Sequence, residues 1–78
     1  MTVEIDSTRK AVNLKWDHDA VGDNARITTT NPETGDTSEH DAGNDGYGVV
    51  TFPADYKGTF NVVVRGTKGT DAAEGLKA

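Results

Sequence analysis

Two histidines in this chain each stand between acids, in Asp17-His18-Asp19 and Glu39-His40-Asp41. An imidazole oriented by a carboxylate is one half of an acid–base device. The other half is missing: the serines are Ser7 and Ser38, there is no cysteine, and no nucleophile motif surrounds either serine. Both histidines are therefore expected to be solvated loop residues, and no catalytic residue is expected. Asp17, Asp19 and Asp23 raise a second possibility, because a hard cation needs several carboxylate oxygens within one short turn. The calcium-loop spacing fails, with Val21 where the third oxygen ligand belongs and Thr28 where the closing glutamate belongs. Asp41 with Asn44 and Asp45 lacks a closing acid too, so no metal site and no cofactor are expected.

The remaining polar chemistry is that of contact. Glu33, Asp36, Glu39, Asp41 and Asp45 lie in a stretch without lysine or arginine. Such a stretch is a solvated face that discourages sheet-to-sheet association, or a contact face for a basic or metal-bearing partner. Of the five aromatics, Trp16, Phe52 and Phe60 are most economically core, which leaves Tyr47 and Tyr56. Tyr47 has a glycine on each side and is read as an exposed anchor for a partner or a sugar, or as a strand-edge tyrosine covering the end of the sandwich. The candidate contact set is therefore Tyr47, Tyr56, Glu33, Asp36, Glu39, Asp41 and Asp45.

Composition narrows the partners. Thirteen acidic against eight basic residues leave a net charge of −5, which repels nucleic acid and anionic membrane. No apolar run approaches the roughly 20 residues that span a bilayer. Neither nucleic-acid binding nor a membrane span is expected. The chain runs from Met1 directly into Thr2-Val3-Glu4-Ile5 without a leader, so synthesis in the cytosol is expected. With 78 residues and no cysteine, one thin core must hold the fold without disulfides.

The elements that must position these groups read as strands. Val12, Leu14 and Trp16 alternate with Asn13, Lys15 and Asp17, which gives a strand with one dry face. Before it comes a short strand around Val3 and Ile5. After it, residues 17–24 read as a loop with Val21 tucked beneath. Ala25 to Thr30, Thr37 to Asp41, Tyr47 to Phe52 and Thr59 to Arg65 follow as strands, separated by Asn31-Pro32-Glu33-Thr34-Gly35-Asp36, by Ala42 to Gly46, and by Pro53, which ends its strand, with a corner from Ala54 to Gly58. Phe60, Val62 and Val64 should face inward, and Asn61, Val63 and Arg65 outward. The segment from Thr70 has room for a last strand ending near Leu76. A helix over residues 71–77 is the alternative, weakened by Gly75. Seven short strands with turns every 8 to 12 residues or so are the pattern of a single all-β antiparallel sandwich spanning residues 1–78.

The order of these features resembles a fibronectin type III or related immunoglobulin-like domain. Val12-x-Leu14-x-Trp16 is similar to the family's second strand. Phe52-Pro53 and Thr59-Phe60-Asn61-Val62-Val63-Val64 are similar to its approach to the sixth. Two departures stand out. The family's tyrosine on that strand is Phe60 here, with Tyr56 as a replacement, and the corner is about two residues longer. The resemblance implies a seven-stranded immunoglobulin-like sandwich. The adhesive Arg-Gly-Asp of some family members is Arg65-Gly66-Thr67 here and is absent.

These features lead to the expectation of a non-enzymatic structural or binding module that decorates a larger assembly. The expected partner is a capsid or tail protein, with the module at a virion surface. The alternative is a cell-surface or carbohydrate-adhesion module of a larger secreted bacterial protein, with a weak glycan contact through Tyr47.

Overall fold

A computed structural model describes residues 1–6, 8–52, 56 and 58–77. Among them are seven strands, β1 (Thr2–Asp6), β2 (Ala11–Lys15), β3 (Ala25–Thr30), β4 (Thr37–Gly43), β5 (Tyr47–Thr51), β6 (Thr59–Arg65) and β7 (Thr70–Lys77). Every pairing is antiparallel, in one sheet ordered β1-β2-β5 and one ordered β4-β3-β6-β7. An all-β fold of seven strands in two antiparallel sheets fits the alternating pattern, because the apolar faces of strands such as β2 and β6 can be covered only by the other sheet.

The core lies between the sheets. Val12, Leu14 and Val50 face it from the three-stranded sheet, and Ile27, Phe60, Val62 and Val64 from the four-stranded sheet, all 1% exposed or less. Asn61 and Val63 are half-buried and Arg65 is exposed on the opposite face of β6, as the alternation predicts. Trp16, immediately after β2, is 8% exposed. Its amide donates to the Gly46 carbonyl at 2.9 Å. Its ring reaches across Gly48, where an added Cβ would stand 2.6 Å from Ile27 Cδ1 and 3.4 Å from Trp16 Cη2. Gly48 is thus small because the Trp16 and Ile27 side chains meet over its backbone.

Three local features differ from the sequence expectations. Residues His18–Val21 form one helical turn, α1, instead of a plain loop. Asp17 caps it, its carboxylate accepting from the Asp19 amide at 2.9 Å, and Val21 is buried beneath it. His18 therefore belongs to a helical turn and His40 to β4, where the sequence suggested loop histidines. β4 continues to Gly43, two residues past the expected end, and Ala42 packs against the core. The last segment is a strand and not the alternative helix. Its register with β6 shifts between Phe60 and Val62, where Gly75 has a φ of +67° and donates to Asn61 Oδ1 at 2.9 Å. The expected strand end at Pro53, and Ala54, Asp55 and Lys57 of the corner, lie outside the described residues.

The β6–β7 loop is tied to α1 by its backbone. Thr67 donates to the Asp23 carbonyl at 3.0 Å, and Lys68 and Gly69 donate to the Val21 carbonyl at 2.8 and 3.1 Å. A Cβ on Gly66 would stand 2.5 Å from the Val21 carbonyl oxygen and 3.0 Å from that of Asp23. Neither oxygen can move without breaking the loop. Gly48→Ala meets only side-chain atoms, one of them the tip of Ile27, and should cost about 1–3 kcal/mol. Gly66→Ala should cost more, which paired denaturant titrations will show.

Close to this loop the amino group of Met1 lies 3.1 Å from Asp71 Oδ2 and joins the start of β1 to β7. The hydrogen bond from that amine, with one from the Ala72 amide, holds the Asp71 carboxyl below its ordinary 3.8 against a smaller opposing effect of burial. The ionised form is favoured by folding. Its contribution is present above 3.8 and is lost as pH falls through the lowered folded value. Asp71→Asn should flatten that part of the acid limb of a stability–pH curve.

Trp16→Ala should unfold the domain or nearly so. Removing a buried aromatic costs about 3–5 kcal/mol, and a chain of this length holds only about 4–12 kcal/mol in all. A melting temperature close to that of the parent would place the ring outside the core.

Candidate functional site

The seven candidate contact residues do not form one surface. Glu39 and Asp41 lie on the outer face of β4 and grip Arg26 of β3. The Arg26 Nε and Nη2 donate to Glu39 Oε2 at 3.2 and 3.0 Å, and Nη1 donates to Asp41 Oδ1 at 3.2 Å. The register sets this up, since Arg26 is paired with Asp41 and lies next to the pair Thr28 and Glu39 on the same face. The acidic stretch carries no base of its own in sequence, yet β3 supplies one from outside it. These pairs are exposed and worth little individually.

Glu33 sits in the turn from Asn31 to Asp36, where the Asn31 side-chain oxygen accepts from the Glu33 amide at 2.9 Å. Asp45 lies in the turn between β4 and β5, and both acids are exposed. Tyr47 opens β5 opposite Lys15 and is 55% exposed. Val49, two residues on and on the same face, is 54% exposed.

Asp36 and Tyr56 are brought together. They line a cleft of about 200 Å³ with Thr29, Ser38, His40, Thr51 and Phe52. The cleft lies between the inner face of β4 and the segment after β5: Ala42, at one end of that face, packs against the core beside Gly48, while Ser38 and His40 border the cleft. Ser38 and His40 are paired with the buried Thr29 and Ile27, so they point to the inner side of β4. The far wall is aromatic. Phe52 stacks on Tyr56 with ring centroids 4.6 Å apart, and lies 4.9 Å from Phe60. The Tyr56 hydroxyl donates to the Thr59 carbonyl at 3.0 Å. Tyr56 thus fixes the start of β6 by a hydrogen bond from the position where the sequence placed a replacement corner tyrosine.

Thr29, Ser38 and His40 are among the cleft residues missed as contact candidates. The signal was present, because within Thr37 to Ala42 the acids Glu39 and Asp41 share one face and Ser38, His40 and Ala42 the other. The remaining histidine is engaged locally, with His18 Nε2 2.7 Å from Asp23 Oδ1. Asp17 serves as the cap of α1 and Asp23 as the partner of His18, so two of the three carboxylates considered for calcium have structural roles. Among the described residues, no three acidic, histidine or cysteine side chains converge as metal ligands.

Comparison with known protein families, curated proteins and solved structures finds no match to this chain.

Tyr56→Phe removes the hydrogen bond to Thr59 and leaves the stacked ring. It should cost about 0.5–1.5 kcal/mol, read by chemical denaturation.

Proposed function

We propose that this chain is a non-enzymatic structural and binding module, an immunoglobulin-like domain of the fibronectin type III kind, that docks on a larger assembly through the edge of β5. Its strand grouping supports the first part of this reading. Strands one, two and five form one sheet, and three, six and seven the core of the other, as in immunoglobulin-like sandwiches. The fourth strand here joins the second group.

The observation that carries the docking reading is the chemistry of the four sheet edges. β1 bears Glu4 and Asp6, β4 bears Glu39 and Asp41, and β7 bears Asp71, Glu74 and Lys77. β5, Tyr47-Gly48-Val49-Val50-Thr51, bears no charge and exposes Tyr47 and Val49. Charge on an edge strand blocks pairing with another chain, and its absence leaves a template for association. A thin sandwich with one bare edge is suited to coating a large repetitive surface, where that edge is covered. The assembly we propose is the capsid or tail of a bacteriophage, with the acidic face of β4 turned to solvent. The cleft beside Tyr56 favours a second reading, a carbohydrate-adhesion module.

Electron microscopy of particles from cells that produce the chain should show a small surface knob, lost with Tyr47→Ala, Val49→Lys while the isolated double variant keeps its melting temperature. A chain that stays wholly monomeric and soluble, away from every particle, contradicts the docking reading.

A further inference from the structure

We infer that the cleft between β4, β5 and Tyr56 is a binding site for a single sugar ring, an inference that rests on the adhesion reading and is independent of the β5 edge. The inner face of β4 is the starting point. A strand face turned towards a core is ordinarily apolar, and this one presents Ser38 and His40. Behind them stands Thr29, the buried polar residue of the core at 5% exposure, which also borders the cleft. Together these residues supply two hydroxyls and an imidazole, each able both to accept and to donate. Asp36 adds a carboxylate that only accepts, at the rim.

The opposite wall has the other property that a sugar requires. Phe60 is 1% exposed, whereas the stacked rings of Phe52 and Tyr56 are both half-buried and line the cleft, so this pair supplies the aromatic wall for a ligand. The Tyr56 ring is fixed by its hydrogen bond to Thr59 and costs little to order on binding. A pyranose has an apolar C–H face for the ring and a rim of hydroxyls for the strand. The volume of about 200 Å³ is below that of drug-sized sites and admits one ring, not an extended chain. A ligand of that size binds with a dissociation constant on the order of 1 mM, and many copies on one surface would raise the avidity.

The test is an amide NMR titration of the whole chain with the methyl glycosides of glucose, galactose, mannose and N-acetylglucosamine, each to about 50 mM, where a millimolar site saturates. At least one glycoside should give saturable shifts at Thr29, Ser38, His40 and Tyr56. Asp36→Asn, an exposed position that leaves the fold intact, should weaken that binding about tenfold, and Thr29→Val should weaken it as well. Tyr47→Ala should leave it unchanged. The site is refuted if no glycoside gives saturable shifts, if the shifts centre on Tyr47, or if Asp36→Asn binds as the parent does. Such a failure leaves the docking reading untouched, since that is decided at Tyr47 and Val49.

Discussion

The constraint on which the rest of this structure depends is the unequal closure of its two sheets. Apolar residues of β2 and β5 meet those of β3 and β6 in a sealed core, Ala42 continues the seal onto β4 beside Gly48, and the cleft opens at Ser38 and His40. The seal is made by full-length apolar side chains from both sides, with Trp16 and Ile27 meeting over Gly48. With no disulfide available, that layer supplies the stability of the domain. Its small size makes the glycine positions matter, because Gly22, Gly48, Gly66 and Gly69 all stand where other groups approach closely.

The same arrangement holds both proposed surfaces. The inner face of β4 is apolar at Ala42, which packs against the core, and polar at Ser38 and His40, where the cleft beside Tyr56 lies. Where the smaller sheet ends, β5 has a free edge, and this edge alone among the four carries no charge. The acids are distributed accordingly. Glu39 and Asp41 bind Arg26 at the outer face, Asp17 caps the helical turn, Asp23 holds His18, and Asp36 borders the cleft.

Most of the architecture was legible in the residues because it follows from period-two alternation. Val12, Leu14, Phe60, Val62 and Val64 are buried where the pattern puts them. The helical turn was not legible: four residues are too few to show helical periodicity, and its formation depends on the Asp17 cap and on Val21 beneath it. The far end of β4 was missed because Ala42 and Gly43 have weak strand preference and are held by packing and pairing to β3. The candidate site was partly legible. Asp36 and Tyr56 were visible as polar or aromatic residues without a core role, but their meeting depends on the pairing of β4 with β3 and on the segment after β5, a long-range arrangement that no local pattern encodes. His40 was read as solvated for the same reason.

Amide hydrogen exchange along β5, in the free domain and in particles that carry it, tests the central claim most directly. The β5 amides that point away from β2 should exchange quickly in the free domain and become protected on the particle, while those bonded to β2 are protected in both. Protection of the outward amides already in the free domain, or rapid exchange there on the particle, would contradict an open edge that serves as the docking surface.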